Sequence, residues 1–105
     1  MRNIKKKLNS VEQEHLDRLL SGQDTEALEE LTWCTPSYLK EIEEEIDWAD
    51  KYCIGQHKVF QCSNGKYYEI VYTQDNEMGD LAEIYFYEVV PIEITKFIYE
   101  PKKEN

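Results

Sequence analysis

At Gly55 the hydrophobic residues of this chain stop recurring at helical spacing and begin to alternate. A chain whose two parts follow periods of 3.6 and 2 has to lay helices against a sheet, because each part carries one apolar face that it cannot bury alone. With 105 residues there is room for one such domain with a modest core, and not for two. The expected fold is α+β: three N-terminal helices followed by a four-stranded antiparallel meander. A single domain, 1–105, then divides into an acidic helical half (1–56) and a β-sheet half (57–105).

The helical half has legible boundaries. Ser10 reads as an N-cap with Gln13 as its reciprocal partner, Leu16, Leu19 and Leu20 supply an apolar face, and Ser21-Gly22 ends the helix. A second short helix is expected from Asp24 or Thr25, with Ala27, Leu28, Leu31 and Thr32 at helical spacing. Thr35-Pro36 offers a third start, since threonine caps the free N–H groups and proline at the first helical position loses no hydrogen bond. That third helix should run from Pro36 to about Cys53.

Beyond Gly55, Lys58–Cys62 and Lys66–Thr73 flank Ser63-Asn64-Gly65, whose Asn-Gly pair predicts a tight type I′ hairpin. Leu81–Val89 follows the polar loop Gln74–Asp80, where Gly79 supplies backbone freedom. After Pro91, Ile92–Tyr99 reads as a fourth strand.

Charge is as uneven as period. Residues 10–50 hold thirteen of the 22 acids against Arg18 and Lys40 alone, whereas the first nine residues carry only bases. On a helical wheel for 36–53, Leu39, Ile42, Ile46, Ala49 and Cys53 form a core stripe edged by Glu43 and Asp50. Glu41, Glu44, Glu45 and Asp47 fall on the outer arc, close to Trp48 and Tyr52. Like-charge pairs outnumber opposite ones there, at a cost of roughly 1 kcal/mol. A solvated acidic face with Trp48 covered elsewhere is the bland explanation. A contact surface with an aromatic anchor ringed by carboxylates is the functional one.

Catalytic patterns are absent from the sequence. Glu12-x-x-His15 is half of a di-iron helix pair with no second copy, and His15 is expected on an exposed helix face. Cys53, His57 and Cys62 would need a distant fourth ligand such as Cys34 to hold zinc. The 74–80 loop places Gln74 and Tyr85 where a calcium loop requires carboxylates. No P-loop, GxGxxG or GxSxG occurs, so the expectation is no enzyme, no cofactor and no metal. Three cysteines without a CxxC spacing suit reduced thiols. No apolar run follows the N-terminal lysines, which points to a cytoplasmic protein. A net charge of −10 disfavours direct contact with nucleic acid or an anionic membrane, and suits a partner with a basic surface. Tyr67, Tyr68, Tyr72, Tyr85, Tyr87 and Tyr99 crowd the β half, suggesting a sheet with a tyrosine-rich second face suited to protein contact or homo-oligomerisation.

The Glu41–Asp50 run with Trp48, the short Lys-rich start and the Tyr-rich strands leading into Val90-Pro91-Ile92-Glu93-Ile94-Thr95 give the chain a resemblance in style. It resembles the small acidic proteins of bacteriophages and mobile elements, among them anti-CRISPR and other anti-defence inhibitors, some of which mimic nucleic acid. The resemblance implies a non-enzymatic inhibitor that, in the cytoplasm of a bacterial host cell, sterically occupies a basic surface of a CRISPR effector or another nucleic-acid-processing enzyme. Glu41, Glu44, Glu45, Asp47, Trp48 and Tyr52 are its expected partner-binding residues. The alternative is a small phage structural or assembly protein that homo-oligomerises through the tyrosine-rich sheet.

Overall fold

The computed structural model describes residues 7–92 and 101–102. Two helices, α1 (Ser10–Ser21) and α2 (Thr25–Leu31), precede four strands: β1 (Leu39–Ala49), β2 (Cys53–Cys62), β3 (Tyr67–Asp75) and β4 (Leu81–Val89). The strands form one antiparallel sheet in the order β1-β2-β3-β4, so the fold is α+β with a meander, as the change of period requires.

Helix α1 starts one residue earlier than the serine signal suggests. The Asn9 side chain accepts the Glu12 N–H at 2.8 Å and the Glu12 carboxylate accepts the Asn9 N–H at 3.0 Å, a complete capping box. Gly22 closes the helix in the left-handed region, at φ +73°. Asp24 caps α2 through the Ala27 N–H at 3.1 Å. Leu16, Leu19, Leu28 and Leu31 from the two helices then meet Phe60, Tyr68, Ile70, Tyr72 and Phe86 of the sheet in one buried core.

The expected third helix does not form; most of its length is strand β1. Pro36 instead opens a turn through Ser37 and Tyr38, its carbonyl accepting the Leu39 N–H at 3.0 Å, and Thr35 lies just before it. Of the expected core stripe only Leu39 is deeply buried, while Ile42 and Ile46 lie open to solvent. Strand β1 pairs with β2 from Leu39↔Cys62 to Ala49↔Ile54, and the register slips twice, leaving Ile42 and Asp47 as the extra residues of two bulges.

The Ser63-Asn64-Gly65 hairpin forms, with a different turn from the two-residue one. Gly65 N–H donates to the Cys62 carbonyl at 3.0 Å, Cys62 N–H donates to the Lys66 carbonyl at 2.8 Å, and Gly65 has φ +92° while Asn64 does not have positive φ. That is a three-residue loop ending on a left-handed glycine. Strand β3 continues to Asp75, and Gly79, at φ +74°, closes the β3–β4 turn. The sheet reaches four strands because β1 joins it. Ile92 lies outside any element, and the remainder of the expected strand Ile92–Tyr99 falls outside the described residues.

Candidate functional site

Strand β1 lies at an edge of the sheet, and register partners show which way its side chains point. Residues opposite one another share a face. Glu41 faces Phe60 and Glu44 faces Lys58, on the side covered by the helices; Glu43 faces Val59 and Glu45 faces His57, on the other side. Among the described residues no element packs on that other side. The carboxylates expected on one helical arc are therefore distributed over both faces of an edge strand.

Three of these acids have ionic partners on β2. Glu41 lies 3.5 Å from the Lys58 ammonium, which also donates to the Thr32 carbonyl at 2.6 Å and so ties the strand to the end of α2. His57 is bracketed by two carboxylates, Asp47 at 2.6 Å from Nδ1 and Glu43 at 3.1 Å from Nε2. Burial of the imidazole pulls its pKa down, but the hydrogen bonds to Glu43 and Asp47, with the field of Asp47 and Glu69, outweigh this and raise it above its ordinary value. Glu44 and Glu45 have no ion pair among the described residues.

Trp48 sits opposite Gly55, and its indole lies on that glycine. A Cβ added at Gly55 would fall 2.2 Å from the indole Nε1, so only glycine permits this seat. Even so, the ring is 48% exposed. Tyr52 occupies the β1–β2 turn, where the Asp50 carboxylate accepts the N–H groups of Tyr52 and Cys53 at 2.7 and 2.8 Å. Those two donors lower the Asp50 pKa. The β3–β4 turn braces this tip: Asn76 N–H donates to the Tyr52 carbonyl at 2.8 Å, and its side-chain amide donates to the Asp50 carbonyl at 3.1 Å. Asp47, Trp48 and Tyr52 thus gather near one end of the sheet, with Glu41 toward the helices and Glu44 and Glu45 between.

The cysteine–histidine grouping does not assemble. Cys53 and Cys62 open and close β2, about 30 Å apart at a strand's rise per residue. Burial, then the fields of Asp50 and Asp75, push the Cys53 thiol up, away from a reactive thiolate. His57 instead joins Glu45 and Asp47, whose ligand atoms lie within 4.8 Å of one another; this is the geometry nearest to a cation site among the described residues. His15 is half-buried rather than exposed, with Nδ1 at 2.5 Å from the Tyr38 hydroxyl, and Glu12 is taken up by the helix cap. His15 and Cys34 line a pocket of about 120 Å³ with Ala27, Glu30, Leu31 and Pro36.

Sequence reasoning missed His57 and Lys58 as partners of the acidic segment, and Gly55 as the seat of Trp48. All three follow from β-strand register, which a helical reading of 36–53 hides. No protein-family model, curated protein or solved structure matches this chain. No helix among the described residues is long and apolar enough to cross a membrane.

Proposed function

We propose that this chain is a non-enzymatic inhibitor that occupies a basic, nucleic-acid-handling surface of a host protein, in the manner of an anti-CRISPR or another nucleic-acid mimic. The supporting observation is the charge ladder of β1, in which Glu43, Glu44 and Glu45 stand on consecutive residues and Asp47 on the next but one. A strand rises about 3.3 Å per residue, and one strand of a duplex carries a phosphate per about 3.4 Å of axis. Successive side chains point to opposite faces, so acids that share a face, such as Glu43 and Glu45, repeat at about 6.6 Å, close to two phosphate intervals. Glu41, Glu44, Glu45 and Asp47 supply charge in this reading, and Trp48 and Tyr52 add apolar contact at the tip. A groove lined with Arg and Lys would take up such a ladder by displacing its nucleic acid.

Competition is the direct test. A partner captured from bacterial lysate on the immobilised protein should be released by duplex DNA or structured RNA, and by raising the salt. It should fail to bind the Glu44→Lys, Glu45→Lys double variant, in which neither replaced residue is itself in an ion pair among the described residues. Capture indifferent to polyanions and to charge reversal would rule the mimic out.

A second reading, a homo-oligomer formed through the sheet, is favoured by the exposure of Tyr85 (60%) and Tyr87 on the uncovered side. Light scattering decides it: a dimer or larger species that Tyr85→Ala splits supports assembly, and a monomer removes it.

A further inference from the structure

We propose that the outer edge of β1 accepts an extended, lysine- or arginine-bearing segment of the partner as a fifth strand of the sheet. This rests on the reading of β1 as a contact surface and adds how the contact is made. Strand β1 pairs with β2 on one side only, so among the described residues its outer N–H and C=O groups have no strand to bond. Such an edge is a template for strand addition, in which main-chain hydrogen bonds supply affinity and side chains on alternate faces supply selectivity. Between its bulges β1 keeps regular register over Glu43–Ile46, the stretch a visiting strand would follow.

The side chains of that stretch define the visitor. Glu44 points to the helix side and Glu43 and Glu45 to the other, so an incoming strand meets carboxylates on both faces. Cross-strand neighbours stand about 4.5–5.5 Å apart, close enough for opposite charges to stabilise the pair and like charges to oppose it. A second copy is the wrong occupant, because antiparallel pairing about the centre sets Glu44 against Glu44 and Glu43 against Glu45. The acids that forbid self-pairing favour a basic strand.

Charged edges and bulges also serve simply to keep edges unpaired. A strand built only for that purpose has no use for exposed apolar side chains. Yet Ile42 and Ile46 are 48% and 63% exposed along β1, where they offer apolar contact beside the carboxylates.

The test uses the full chain and three labelled eight-residue peptides. The first alternates lysine pairs with valine, the second has that sequence with alternate backbone nitrogens methylated, and the third replaces lysine by glutamate. The expected result is that the first binds at least tenfold more tightly than the second, leaves the third unbound, and slows amide exchange at outward-facing positions of 43–46. Equal binding of the first two peptides overturns strand addition while preserving the charge-led contact. If no basic peptide binds, both fail. Protection confined to the β4 side of the sheet also overturns the proposal.

Discussion

His57 couples proton binding to the joint between β1 and β2. Its imidazole donates to both Asp47 and Glu43 only when protonated, and Glu45 directly opposite and Glu69 on β3 add to the negative surroundings. The folded-state pKa is raised, so the stabilisation is complete below the unfolded value of about 6.5 and is lost as pH rises through the folded one. The urea midpoint should therefore fall as the pH rises above about 6.5, and His57→Gln should flatten that slope. An unchanged slope in the variant would remove His57 as its origin. The neighbouring contact is steric. Gly55→Ala has to evict the Trp48 indole, for which overpacking of about 1–3 kcal/mol is expected. In a Trp33→Phe background, the displaced Trp48 should show red-shifted fluorescence; unshifted emission would mean that the ring never rested on the glycine.

At the scale of elements, the caps respond to single substitutions. Asn9→Ala removes the acceptor for the Glu12 N–H and should lower stability by about 1 kcal/mol, with Asn9→Asp retaining most of it. Chemical denaturation checks this, and an Ala variant as stable as the native chain would show that the box contributes nothing. Helices α1 and α2 were legible because cap, apolar stripe and stop signal agree over short spans. Segment 39–49 was not, and its bulges explain why. With Ile42 and Asp47 as extra residues, the helix-side positions become Leu39, Glu41, Glu44, Ile46 and Ala49, so alternation breaks twice. Meanwhile Leu39, Ile42, Ile46 and Ala49 recur at steps of three and four, and glutamate favours helices over strands. Pairing with β2 overrides both signals. The acidic residues of the candidate site could be named from sequence, but their division between two faces and their partners on β2 required the register.

Across the whole molecule, coverage and charge act together. Helix α1, with 12 residues, is about 18 Å long, whereas the 11 residues of β1 extend over about 36 Å. Two short helices therefore bury the Phe60–Ile70 region and leave the far end of β1 bare, where Glu45 and Asp47 lie. A formal charge of −10 repels itself most strongly in the compact state, and salt relieves that repulsion. The two consequences of salt should have opposite signs. Raising ionic strength from about 0.05 to about 0.5 M should raise the melting temperature of the free protein by a few degrees, while weakening its complex with a basic partner. A Glu44→Gln, Glu45→Gln variant, which removes two charges without setting a cation opposite Lys58 or His57, should gain less from added salt and bind the partner more weakly. Thermal melts across a salt series, run beside binding at the same concentrations, separate these effects. A native chain whose melting point ignores salt would mean that the acids of β1 are already neutralised within the fold, leaving no ladder of free charge for a partner to read.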